Sequence, residues 1–244
     1  MARRILEIQD IVKSYDGKSR AVDRLSLCLE AGNVCALLGK NGAGKTTSIR
    51  IIMGLLPFDS GSVQIKGQQI GKSYPLSIKS CIGFVPDCNS LYGYLTGYQY
   101  LRFLCGMYQL SFRESMPEIR QLAAQLQLEP YLNKLIRTYS KGTVQKLMTL
   151  GAFLHHPELM IMDEPFTSLD PEMIVTVLKL IRQKANEGCA FLISSHIISL
   201  VERVCDSYTI LKEGITVAQG ETAHLEAGTS LEEVYFESID SSVE

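Results

Sequence analysis

Apolar positions in the first forty residues fall in short patterned runs: Ile5, Ile8, Ile11 and Val12, then Leu25, Leu27 and Leu29. Asp16-Gly17 and Ala31-Gly32 break them, so the pattern predicts strands separated by turns. Val34-Cys35-Ala36-Leu37-Leu38 is apolar without interruption, as expected of a strand buried on both faces. Gly39 ends it and opens a glycine-rich turn. From Lys45 to Met53 the period turns helical, carried by Ile49, Ile52 and Met53, with Gly54 placed as a stop. Residues 61–70 read as a further strand and turn.

Across residues 95–154 the helical period dominates. Ile119, Leu122, Ala123 and Leu126 stand at i, i+3, i+4 and i+7, and Leu147, Leu150 and Leu154 repeat the pattern. Strand signals return at Leu159-Met160-Ile161-Met162. Asp170-Pro171 then supplies a cap and a first-turn proline for a helix that presents Ile174, Val177, Leu178, Ile181 and Ala185 and stops at Gly188. Residues 189–194 form another buried strand, 197–204 a short helix, and 208–219 a hairpin around Glu213-Gly214. Strand–helix alternation at both ends with a helical block between them predicts an α/β core carrying a helical insertion.

Composition narrows the class. The 244 residues carry 24 Lys+Arg against 26 Asp+Glu, a net charge of −2, which argues against nucleic-acid binding by bulk electrostatics. No apolar run exceeds five residues, so no segment is expected to span a bilayer, and Glu7 and Asp10 interrupt the basic start Met1-Ala2-Arg3-Arg4 before a secretory signal can form. Seven cysteines form no Cys-x-x-Cys pair, as in a chain with reduced, cytosolic thiols.

The chemistry concentrates in three places. Gly39-Lys40-Asn41-Gly42-Ala43-Gly44-Lys45-Thr46-Thr47 fits GxxxxGK[ST] between a strand and a helix. Such glycines let backbone N–H groups converge on phosphate at a helix N-terminus. Lys45 is then suited to the β- and γ-phosphates, and Thr46 to Mg²⁺. Asp163 and Glu164 end a buried strand, where ligands bind in open α/β sheets. Asp163 suits a metal anchor, direct or through water, and Glu164 a general base acting on water. His196 follows a third core strand and is a candidate for γ-phosphate contact.

Together these motifs resemble the nucleotide-binding subunit of an ABC transporter, over essentially the whole chain. Tyr139-Ser140-Lys141-Gly142-Thr143 lies where that family carries its LSGGQ signature. Tyr15 matches the aromatic that stacks on adenine, Ser168-Leu169-Asp170 the D-loop, and His196 the switch histidine. The resemblance implies a P-loop NTPase (RecA-like) α/β core formed by residues 1–87 and 156–220, with an N-terminal antiparallel β subdomain. It also implies a helical subdomain inserted over 88–155 and a helical tail over 221–244. It implies ATP with Mg²⁺ as cofactors, and two cassettes sandwiching two ATPs so that Ser140 and Gly142 serve the nucleotide of the opposite subunit. It further implies membrane-spanning transporter subunits as partners, a cytoplasmic, membrane-peripheral location, and no nucleic-acid partner.

Two positions depart from the family pattern. Asp87 stands where the family usually has Gln, and being shorter and charged it can approach Mg²⁺ through water. Lys141 replaces the first signature glycine, and Thr143 the Gln. The Ser-Lys-Gly signature and Pro-Asp pair resemble the ABC-2 exporter branch, which includes antibiotic and multidrug exporters. Five of the eleven tyrosines lie in residues 91–108, where the family docks the coupling helix of its membrane subunit, and Tyr92 and Tyr94 are expected on that surface. A soluble ABC ATPase that acts as an assembly factor or clamp remains the alternative.

Overall fold

The structure is a computed structural model that describes residues 3–71, 74–87, 91–226 and 229–240. Met1-Ala2, the first residues of the expected insertion (88–90) and the end of the expected tail (241–244) lie outside the described residues. The chain runs β1 (Arg4–Ser14), β2 (Arg20–Glu30), β3 (Val34–Leu38), α1 (Lys45–Ile52), β4 (Ser60–Ile65), β5 (Gln68–Ile70), α2 (Leu76–Lys79) and β6 (Ile82–Val85). It continues with α3 (Gly97–Met107), α4 (Phe112–Gln125), α5 (Lys141–Phe153), β7 (Leu159–Asp163) and α6 (Pro171–Asn186). Last come β8 (Ala190–Ser195), α7 (Ile198–Val201), β9 (Ser207–Lys212), β10 (Ile215–Glu221) and α8 (Leu231–Asp240).

The strands stand in the order β5-β4-β1-β2-β10-β9-β3-β8-β7-β6. The β1–β2, β1–β4 and β4–β5 pairs are antiparallel and make the N-terminal β subdomain, whereas β9, β3, β8, β7 and β6 are mutually parallel. A single residue pair, Ile215 with Asp23, joins the two parts. The short N-terminal runs prove to be two eleven-residue strands, because bulges at Asp10 and Arg24 (φ 47° and 53°) carry the pairing past breaks in the pattern. The helix expected at 197–204 is regular only over α7.

Period-two alternation divides the core. Val34, Ala36, Leu38, Met160, Met162, Phe191 and Ile193 face a cluster built with α3–α8, while Cys35, Leu37, Leu159, Ile161, Ala190 and Leu192 face α1 and the β subdomain. That two-sided burial is why these strands read as unbroken apolar runs. The Glu213-Gly214 turn has φ of 51° and 84° and closes the β9–β10 hairpin. On α8, Leu231, Tyr235 and Ile239 are buried at i, i+4 and i+8, while Glu232 and Glu233 face solvent.

Parallel pairing sets the location of the chemistry. Leu38 is level with Ser195, Asp163 with Ser194, and Val85 with Met162. The phosphate loop, Asp163-Glu164, His196 and Asp87 therefore leave the sheet at one edge.

Candidate active site

The phosphate loop is shaped by close backbone packing. Gly39 and Gly44 have φ of 155° and 105°, and a Cβ on them would meet the carbonyl oxygens of Leu211 and Ala21 at 2.5 Å. Gly44 caps α1 without a side chain, so the amides of the first helical turn keep no side-chain acceptor and point into the loop. Lys45 is 6% exposed; its Nζ donates to the carbonyls of Gly39 (2.6 Å) and Lys40 (3.3 Å) and lies 3.4 Å from Glu164 Oε1.

Asp163, 3% exposed, accepts from Thr46 Oγ1 at 3.1 Å and from Ser194 Oγ at 2.5 Å. Glu164 adopts a left-handed φ of 49°, a strained state for a non-glycine residue, and its amide donates to the Ser194 carbonyl (3.2 Å) and hydroxyl (3.1 Å). That turn directs the side chain so that Oε2 lies 2.8 Å from His196 Nδ1 and 3.3 Å from the His196 amide. Glu164 thus sits between the loop lysine and the histidine.

Asp87 joins Ala21, Glu164 and the loop residues Lys40 through Thr47 around a cavity of about 190 Å³. Burial, then the negative charges of Asp163 and Glu164, push its carboxyl above the usual carboxylate value, with His196 and Lys45 pulling the other way. Tyr15 is 62% exposed, its hydroxyl lies 3.3 Å from Thr47 Oγ1, and Lys13 Nζ stands 6.0 Å from its ring centroid, so the ring sits beside the loop.

Ser140 and Gly142 do not line this cavity. Ser140 caps α5: its Oγ accepts from the Thr143 amide at 3.1 Å and pairs with the Thr143 hydroxyl at 2.8 Å. Gly142 packs against the Ser168 carbonyl so closely that no Cβ fits between them. The tyrosine-rich segment divides: Tyr100 is buried in the core, while Tyr92 and Tyr94 are exposed.

Three contributors escape the motif reading. Ser194 grips both Asp163 and Glu164, and its signal is a hydroxyl ending an apolar strand. The carbonyls of Ala21 and Leu211 shape the loop through backbone atoms alone and leave no trace in residue type.

With this geometry in place, comparison with known proteins is informative. The family model described as ABC transporter matches residues 22–167. The uncharacterized ABC transporter ATP-binding protein YhaQ of Bacillus subtilis is 34% identical over 236 residues, 97% of this chain and 78% of that protein. The linearmycin resistance ATP-binding protein LnrL of Bacillus subtilis is 35% identical over 216 residues, 88% of this chain and 69% of that protein. A solved structure of an ATP-binding subunit of an ABC transporter superposes with a TM-score of 0.89 at 33% identity, covering 96% of this chain and 99% of that one.

Proposed function

This chain belongs to the ABC transporter family as an ATP-binding, ATP-hydrolysing subunit, and on that premise we propose that it drives export through separate membrane-spanning subunits. Similarity to a linearmycin resistance protein supports the exporter branch. Among the described residues no helix is long and apolar enough to cross a membrane. The transport reading puts the chain at the cytoplasmic face, held there by those partners. The 88–155 insertion, the flanking core segments and the tail from 221 are the working parts of one cassette.

The observation that carries the reading is the position of Glu164 between Lys45 and His196, beside the Thr46–Asp163 pair. ATP lies with its phosphates in the loop of residues 39–47 and its base on Tyr15. Lys45 exchanges its loop carbonyls for phosphate oxygens, which also withdraws it from Glu164. Glu164 then takes a proton from the attacking water, with His196 orienting its carboxylate. Among the described residues the buried Asp163 accepts hydrogen bonds and has no cationic partner, so Asp163 and Thr46, with Asp87 nearby, would hold a magnesium ion. When bound there, such an ion would supply charge neutralisation at the phosphates. A second cassette presents its Ser140 and Gly142 to the γ-phosphate from the head of α5.

Two measurements test this. Lys45→Ala should abolish ATP turnover, and a variant that hydrolyses normally overturns the phosphate-loop assignment. The wild-type chain should co-purify from solubilised membranes with a multi-span protein, and recovery with a soluble scaffold instead overturns the transport role.

A further inference from the structure

Tyr15, on which the nucleotide base is placed above, follows directly on the last residue of β1, and one distant residue holds the three positions before it. Asp59 stands just ahead of β4, 45 positions from Ser14. Its amide donates to the Val12 carbonyl at 2.8 Å, its Oδ1 accepts from Lys13 Nζ at 3.1 Å, and its Oδ2 accepts from the Ser14 amide at 2.7 Å. Val12, Lys13 and Ser14 are thus fixed in succession, and the backbone reaches Tyr15 with its direction set. The Ser14 amide, followed by Lys13, holds the Asp59 carboxyl below the usual carboxylate value.

The far side of Tyr15 is built as closely. Ser14 Oγ accepts from the Gly17 amide (2.9 Å) and donates to the Ser19 carbonyl (2.7 Å). Asp16 Oδ1 accepts from the Lys18 and Ser19 amides, both at 2.8 Å. These side chain to backbone bonds close residues 14–19 into one turn, so Tyr15 is carried between two fixed neighbours. The Lys13 side chain is 11% exposed, and its Nζ, 6.0 Å from the Tyr15 ring centroid, is at cation–π range. A lysine so buried needs a counter-charge, and Asp59 supplies it. Carboxylate, ammonium and ring therefore run in series from the start of β4 to the phosphate loop, which Tyr15 meets at Thr47.

We infer that Asp59 is a positioning residue for the nucleotide base: it fixes the end of β1 and Lys13 so that Tyr15 presents its ring beside the phosphate loop. The inference rests on the reading of Tyr15 as the base platform and names what aims it. A ring already held in place loses little side-chain freedom when a base stacks on it, and that saving appears as affinity. Asp59 lies outside the residues that line the phosphate-loop cavity, so its loss is felt by the base and spares the phosphates.

The test is calorimetric titration of the purified chain with two probes, ATP and inorganic tripolyphosphate, each with Mg²⁺. Asp59→Ala should weaken ATP binding by about threefold or more, the worth of one net hydrogen bond, and leave tripolyphosphate binding unchanged. Asp59→Asn keeps an oxygen for the Ser14 amide and should restore part of the loss. Tyr15→Ala should weaken ATP binding by about fivefold or more, the low end of base–aromatic stacking. Wild-type ATP affinity in Asp59→Ala, alongside a weakened Tyr15→Ala, overturns this inference alone. If Asp59→Ala does not fold, the same comparison is made on Asp59→Asn, and wild-type ATP affinity there overturns it. A parallel loss of ATP and tripolyphosphate binding makes Asp59 a general support of the fold and likewise overturns it. Undiminished ATP affinity in Tyr15→Ala overturns the base-platform reading and this inference with it.

Discussion

Glu164 Oε2 lies 2.8 Å from His196 Nδ1, although the two residues follow different strands and are 32 positions apart. The contact requires the left-handed turn at Glu164, since an extended backbone there would carry the side chain off along the strand axis. Strain of this kind, of order 1–3 kcal/mol, persists where surrounding structure over-determines it. Here the two bonds from the Glu164 amide to Ser194 do so.

Glu164→Gln keeps the shape of the side chain and removes its basicity. Phosphate release should fall by about 10²–10⁴-fold, the usual contribution of a general base. ATP binding should persist, and two cassettes should remain trapped together in size-exclusion chromatography. Unchanged phosphate release would assign the base to another group.

Ser194→Ala removes the hydroxyl that donates to Asp163 and accepts from the Glu164 amide. Loss of a partner to buried polar groups costs about 1–3 kcal/mol. Chemical denaturation should register that loss, and turnover should fall because Asp163 and Glu164 lose a common anchor. A variant as stable and active as wild type would reduce Ser194 to a bystander.

Gly142→Ala places a Cβ against the Ser168 carbonyl, where the head of α5 packs on the segment before α6. Turnover should drop even with ATP binding preserved, because the head of α5 must shift. Gly106→Ala is the control: its Cβ meets nothing within 4 Å inside α3, so it should stabilise the chain by about 0.5–1 kcal/mol. Equal behaviour of the two variants would refute the packing argument.

Asp87→Asn tests the electrostatics. Burial and the charges of Asp163 and Glu164 raise the Asp87 carboxyl above 3.8, so the folded chain holds that proton more tightly than the unfolded chain. The Asp87 contribution to stability is favourable in acid and is lost as pH rises through the raised value. Without nucleotide or metal, Asp87→Asn should therefore raise the melting temperature modestly near neutrality, and the gain should shrink as pH falls toward 3.8. A gain that grows in acid would contradict the sign.

Much of the site is legible along the chain because its chemistry is local. The glycines and Lys45 of the phosphate loop act within one turn, and an apolar run ending in Asp163-Glu164 announces a strand edge. The helical core positions Ile119, Leu122, Ala123 and Leu126 also follow the period closely, and all four are buried. The long strands β1 and β2 were harder, since bulges continue a ladder through residues that read as breaks. Tyr100 and Tyr94 illustrate another limit: both lie in one tyrosine-rich stretch, yet one is core and the other surface, because helix phase and neighbouring elements decide exposure.

The sequence alone determined the phosphate loop, the acidic pair, the order of motifs and the buried core strands, since those depend on residue type and spacing. Tertiary structure decided which side chains meet. The register of β3, β7 and β8 brings Thr46, Asp163, Ser194 and His196 to one edge, and backbone carbonyls of Ala21 and Leu211 mould the loop. Those relations arise from strand pairing and packing across distant segments, and spacing along a chain carries no record of them.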